Sequence, residues 1–235
     1  MDPQPIRLVI FDCDGVLVDS EGIALQVLVT ALAEKGIPLT VDGAAERFLG
    51  RSLGSLAEAV LTEFAVEIDA AFLAGMREAL YGRFRAELKP LPGVAGLIDA
   101  LKASDVACCV ASSSQRERIE LSLSVTGLLP KLAPHIFSAT MVENGKPAPD
   151  LFLHAASEMG FAPEDCLVIE DSPAGISAAQ AAGMRVFAFT GGSHTRHASY
   201  RQTLAQLQPD AQFDAMENLL HFVLGVRRPE DLTNA

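Results

Sequence analysis

From residue 90 onward the sequence alternates between helix-length amphipathic segments and short apolar runs. VAGLIDALKAS precedes VACCVASSS, and RERIELSLSVTG precedes HIFSATM; PDLFLHAASEMG precedes CLVIEDS, and PAGISAAQAAG precedes RVFAFTGG. The apolar stretch Ile6, Leu8, Val9, Ile10, Phe11 adds a strand at the N-terminal end. Strands alternating with helices of this length form a parallel sheet covered on both faces. The predicted class is therefore α/β, a Rossmann-like core of five strands. Right-handed crossovers bring every strand C-terminus to one edge, which is where such folds bind ligands.

Residues 21–88 break the alternation. EGIALQVLVTALAEKG carries Ile23, Leu25, Leu28 and Leu32 at helical spacing and ends at Gly36; AAERFLG, SLGSLAEAVLTEFA and DAAFLAGMREALYGRFRAEL follow with no strand among them. KPLPGV, with Pro90, Pro92 and Gly93, closes the stretch. The expected division is an α/β core over 1–16 and 90–235 with an inserted all-helical cap over 20–88. At 235 residues and 49% hydrophobic, the chain can bury such a core together with a smaller lobe.

The strand ends carry the chemistry. IFDCDGVLVDS runs an apolar strand straight into Asp12 and Asp14, then turns on Gly15. Two carboxylates so placed repel each other unless something positive lies between them. VACCVASSS ends in Ser112, Ser113 and Ser114; ENGKPAPD after the third strand holds Lys146; CLVIEDS ends in Glu170 and Asp171. In a parallel sheet these groups share one crevice. One or two carboxylates, with water and substrate phosphate, are the usual setting for Mg²⁺. Lys146 and the seryl hydroxyls, with backbone N–H groups beside them, suit the oxygens of a phosphoryl group. The combination predicts phosphoryl transfer.

FDCDGVLVDS, VASSS, GKPAPD and VIEDSPAGI, in that order, resemble the motifs of the haloacid dehalogenase superfamily, in its branch of helical-cap phosphatases and β-phosphoglucomutase. The resemblance spans essentially the whole chain. It implies that Asp12 is the nucleophile and forms an aspartyl-phosphate. Asp14 would protonate the leaving alkoxide and then deprotonate the attacking water. Ser112 and Lys146 would hold the phosphoryl oxygens, and Ser113 and Ser114 would contact substrate. Mg²⁺ would be bound by Asp12, the carbonyl of Asp14 and Asp171, with Glu170 among the metal-site residues. A cis peptide before Pro147 is a common family feature. The proposed role of Asp14 also calls for an environment that keeps it protonated, since an ordinary Asp titrates near about 3.9.

Other features have plainer readings. Asp19 and Ser20 read as an N-cap for the first insert helix, and Ser172 with Pro173 as a cap and first-turn pair. The charges of RERIE read as a solvated face. His194 and His197 are spaced for one helix face but lack a third ligand, so they read as a loop or surface pair. GRSLG fits a G-x-S-x-G elbow, but that elbow needs a preceding strand and AAERFL reads as helix. A cap loop in which Gly50, Arg51 and Ser52 contact substrate is the better reading. Cys13, Cys108, Cys109 and Cys166 show no CxxC spacing and read as reduced thiols, so the expected location is cytoplasmic. No secretory leader or membrane span is visible. A net charge of −12 argues against nucleic-acid or anionic-membrane partners.

Asp14 and Asp171 argue against a true dehalogenase, which needs neither. The one lysine between Ser20 and Leu88 is Lys35, near a helix C-terminus, where dipole stabilisation is simpler than a phosphonate hydrolase's Schiff base. β-Phosphoglucomutase is the serious rival. Against it, Ala24 stands where the mutase pattern has histidine and Leu53 where it has the arginine that grips a second phosphate; Arg51 can substitute from a neighbouring position. The expectation is a Mg²⁺-dependent phosphatase, working as a monomer on a small phosphorylated metabolite such as a sugar phosphate or sugar-acid phosphate. A phosphosugar mutase is the alternative, and a non-catalytic metabolite-binding protein a third.

Overall fold

The computed structural model of the protein describes residues 5–48, 53–196 and 198–224. Among the described residues, six parallel strands make one sheet: β1 (Leu8–Phe11), β2 (Ala107–Ser112), β3 (Ile136–Ser138), β4 (Cys166–Glu170), β5 (Arg185–Phe189) and β6 (Ala211–Phe213). Their order is β3-β2-β1-β4-β5-β6. The chain builds outward from β1 to β3, then returns to set β4 on the other side of β1. That reversal opens a crevice beyond the C-terminal ends of β1 and β4. Val9 pairs in register with Cys108 on one side and Leu167 on the other.

The strand side chains alternate between faces, as the pleat requires. Val9, Phe11, Val110 and Ile169 pack under α5 (Val94–Ala103) and α6 (Arg116–Val125). Leu8, Ile10, Ala111 and Val168 pack against α8 (Asp150–Met159) and α9 (Pro173–Ala181). Both faces being covered explains the continuous apolar runs of β1 and β4, each buried along its whole length. Strand β6 was not expected from the sequence: its three residues lie at the edge, and only Phe213 is buried. Short helices α7 (Leu129–Leu132) and α11 (Leu219–Leu224), with α10 (Ala198–Gln206) between them in the chain, complete the sheet layers.

Among the described residues of 21–87 there is no strand. Helices α1 (Glu21–Glu34), α2 (Val41–Phe48) and α3 (Leu53–Phe64) share a separate apolar cluster built on Leu28, Leu32, Phe48 and Val60, with Phe72 and Met76 of α4 (Ala70–Glu87) packed against it. No helix among the described residues is long and apolar enough to cross a membrane.

The caps follow the sequence reading only in part. Ser172 Oγ accepts from the Gly175 N–H at 3.1 Å, with Pro173 in the first turn of α9. Ser20 occupies the N-cap position of α1 but makes no side-chain cap bond; its hydroxyl turns to Asp14. Asp19 Oδ1 accepts instead from the backbone N–H (3.1 Å) and hydroxyl (2.7 Å) of Ser193, beyond β5.

Candidate active site

β1 delivers Asp12 to the crevice, and Gly15 turns the chain at once in the left-handed region (φ +81°). A Cβ on Gly15 would stand 1.9 Å from Asp171 Oδ2, so only glycine lets the ends of β1 and β4 close this far. From the loop before α8, Lys146 Nζ reaches 2.6 Å from Asp12 Oδ1 and 2.6 Å from Glu170 Oε1, and donates to the Ala111 carbonyl at 3.0 Å. Its side chain is 3% exposed. The Lys146–Pro147 peptide is cis. The ammonium thus lies between Asp12 and Glu170, whereas the cation beside Asp14 is Arg118. Burial opposes its charge, but Asp12 and Glu170 hold the Lys146 pKa above the ordinary lysine value.

Asp14 is pinned from three sides. Oδ1 accepts from Ser20 Oγ (2.6 Å) and Arg118 Nη2 (2.8 Å), and Oδ2 accepts from Ser114 Oγ (2.7 Å). Burial pushes the Asp14 carboxyl up; the Arg118 guanidinium and the two hydroxyls outweigh it and hold the group below its usual value. The expected protonating environment is therefore not what surrounds Asp14 here. The structure favours its ionised form.

Glu170, at the end of β4, is wholly buried and held by protein groups. Its Oε1 is taken by Lys146, while Oε2 accepts from the N–H groups of Asp171 and Ser172 (3.0 Å each) and from Ser172 Oγ (2.9 Å). These contacts tie the buried Glu170 to Lys146 and to the turn that leads into α9.

The seryl cluster divides its work. Ser112 is buried at the end of β2 and accepts from the Ser114 N–H at 3.2 Å. Ser113 is exposed and faces the cavity; the Ser114 hydroxyl is spent on Asp14. Gly50, Arg51, Ser52 and His197 lie outside the described residues, as does the side chain of Leu53.

Five carboxylates (Asp12, Asp14, Glu21, Glu170, Asp171) gather around two cations, the buried Lys146 and the half-buried Arg118. Burial, with the neighbouring acids, drives Asp12 well above the usual carboxylate value despite Lys146. Burial likewise raises Asp171, against the pull of His194. Such a donor set fits a hard divalent cation, whose charge would let both acids ionise. Among the described residues, no group of three or more His, Cys, Asp or Glu side chains is arranged to hold a metal. Mg²⁺ needs no such cage, because it keeps several waters and takes one or two carboxylates.

Several cavity groups were not anticipated. A space of about 450 Å³ opens above Asp12, walled by Met76, Leu80 and Tyr81 of α4 and by Glu21, Arg118 and His194. Arg118 belongs to the RERIE stretch read as solvated; only Arg116 and Glu120 there form an exposed pair, while Arg118 turns inward over the Phe84 ring, 5.5 Å from its centroid. His194, read as a loop or surface residue, is buried with Nε2 2.8 Å from Asp171 Oδ2. Its position past the end of β5 was the available signal, since every strand end points to this edge. The four cysteines are free and buried; burial pushes the Cys108 and Cys166 thiols up to about 12 and about 11.

The family model for haloacid dehalogenase-like hydrolases matches residues 6–183. The 6-phosphogluconate phosphatase of Escherichia coli K12 is 33% identical over 192 residues, 81% of this chain and 86% of that protein. A solved haloacid dehalogenase-like protein of unknown function from Agrobacterium tumefaciens C58 superimposes with a TM-score of 0.82 at 37% identity, covering 94% of this chain and 98% of the other. A family hydrolase from Deinococcus radiodurans R1, solved with bound phosphate and sodium, gives 0.77 at 32% identity, covering 94% and 96%. The chain belongs to the haloacid dehalogenase-like hydrolases.

Proposed function

We propose that this enzyme, a phosphoric monoester hydrolase of its family, removes phosphate from a small phosphorylated metabolite, a sugar phosphate or sugar-acid phosphate, through an aspartyl-phosphate on Asp12. The observation that carries the reading is Lys146 Nζ at 2.6 Å from both Asp12 Oδ1 and Glu170 Oε1, inside the crevice beyond β1 and β4. The ammonium pulls the nucleophile towards its ionised form, against burial and the neighbouring acids, and offers its charge to the phosphoryl oxygens of the incoming monoester. Ser112 and the backbone at the end of β2 complete the oxygen-binding wall. Asp12, the Asp14 carbonyl and Asp171 are the groups that would hold Mg²⁺. When bound, that ion neutralises phosphoryl charge as it develops. Asp14 gives its proton to the leaving alkoxide and takes one from the water that cleaves the aspartyl ester.

Residues 20–88 serve as the cap: α4 walls the cavity with Met76, Leu80 and Tyr81, which fits a small substrate closed off from bulk water. The E. coli relative's action on 6-phosphogluconate supports the sugar-acid class.

The test is a phosphate-release screen over phosphorylated sugars and sugar acids, with and without Mg²⁺, on wild type and Asp12→Asn. Metal-dependent release that disappears in Asp12→Asn is expected. Undiminished release by Asp12→Asn would overturn the mechanism. β-Glucose 6-phosphate accumulating from β-glucose 1-phosphate and a bisphosphate primer would replace the hydrolase with a mutase.

A further inference from the structure

His194 is a buried imidazole beside the metal-binding end of the crevice, and no step above uses it. Its side chain is 1% exposed, with Nε2 2.8 Å from Asp171 Oδ2 and Nδ1 without a hydrogen-bond partner. The approach to Asp171 is close but bent, since Nε2 makes no aligned hydrogen bond. Backbone on both sides admits the ring. A Cβ on Gly15 would stand 2.8 Å from His194 Cε1, and one on Gly192 would stand 2.7 Å from the same atom. The edge of Tyr200 closes a further side, with ring centroids 5.5 Å apart. The next residue back, Ser193, is tied to Asp19 by its N–H and its hydroxyl. The ring is therefore seated by the turn after β1 and by Tyr200 of α10, with its own loop tied at Ser193 to the segment before α1.

We infer that His194 is a positioning residue for the metal: it engages Asp171 Oδ2 and so leaves Oδ1 aimed at the cation. This inference rests on the proposed metal site, and it assigns that site a supporting group beyond the carboxylates themselves. A ligating carboxylate whose second oxygen is held by another side chain loses less freedom when the ion binds. Removing such a supporting group typically lowers metal affinity by about 10–100-fold. The interaction needs only an N–H on Nε2, which the neutral ring can carry.

The test is Mn²⁺ binding to the full chain, read from the electron paramagnetic resonance signal of the free ion, so that it does not depend on turnover. Wild type, His194→Ala, His194→Gln and Asp171→Asn are titrated at one pH, with folding of each checked by its metal-free melting curve. The inference expects His194→Ala to weaken binding about 10–100-fold. It expects His194→Gln, whose amide N–H can reach the same oxygen, to return within about threefold of wild type. Wild-type affinity in His194→Ala, or a Gln variant as weak as Ala, would overturn the inference while leaving the metal site in place. If Asp171→Asn keeps wild-type affinity, or wild type binds no Mn²⁺, the proposed metal site fails and the inference fails with it.

Discussion

Arg118 holds Asp14 across the crevice, Nη2 to Oδ1 at 2.8 Å, with its guanidinium over the Phe84 ring of α4. The residue proposed to donate a proton is thus kept ionised by a cation that itself touches the proposed cap. For Asp14 to act as an acid, that grip must loosen as substrate enters. Arg118→Met should therefore raise the Asp14 pKa, since an adjacent cation commonly lowers a carboxyl by about 1–3 units. A required acid loses activity as pH rises through its pKa. The descending limb of kcat/KM for a sugar phosphate should then move to higher pH by about 1–3 units. A limb that stays in place would show that Arg118 does not govern Asp14.

Asp14→Asn separates the two half-reactions. With p-nitrophenyl phosphate the leaving group needs little help from an acid, so esterification of Asp12 should proceed. Breakdown of the ester still lacks its base. A burst of nitrophenolate near one equivalent per enzyme should precede a steady rate reduced by about 10²–10⁴-fold. Rapid-mixing absorbance measures both phases, and a full steady rate without a burst would remove Asp14 from the hydrolytic step.

Lys146→Met tests the buried triad. The substitution keeps much of the side-chain length against the Phe152 ring, 4.7 Å from Nζ, but strands Asp12 and Glu170 without their shared cation. Losing one member of a buried ion pair costs about 3–5 kcal/mol, and losing a fixed charge at the phosphoryl group costs about 10²–10³ in kcat. Urea denaturation should show the lower midpoint. Adding Asp12→Asn should recover part of the stability and none of the activity. A single mutant as stable as wild type would mean that Lys146 acts only on the substrate.

The crevice was legible because it follows from topology. Once alternating segments imply a parallel sheet, Asp12, Lys146 and Asp171 must meet at its C-terminal edge, however far apart they are in sequence. Strand β6 escaped because the three residues Ala211–Phe213 are too few to show a period. Arg118 escaped for another reason: which way a charged residue on α6 points is set by how that helix packs on α4. Ser20 and Asp19 were read as cap residues on local propensity, and tertiary partners, Asp14 and Ser193, claimed them instead. The same competition gave Glu170 to Lys146 and the start of α9. Residue type and order thus located the candidate site, whereas the groups packed around it depend on contacts between layers.

Glu21 supplies a prediction about stability. Burial lifts its carboxyl from 4.5 to about 7, with Asp14 adding to the effect against Arg118 and His194. The folded state therefore holds this proton more tightly than the unfolded chain does. Its contribution is fully present below about pH 4.5 and is lost as pH rises towards 7. At about 1.4 kcal/mol per unit the full penalty above pH 7 would be about 3 kcal/mol. Partial exposure to cavity water reduces that to about 1–2 kcal/mol. Glu21→Gln removes the titration, so in chelator it should melt about 3–6 °C above wild type at pH 8. At pH 4.5 the gap should shrink by more than half, because the wild-type carboxyl is then protonated when folded. An equal gap at both pH values would mean that the gain comes from packing and that Glu21 stays an ordinary carboxylate in the folded protein.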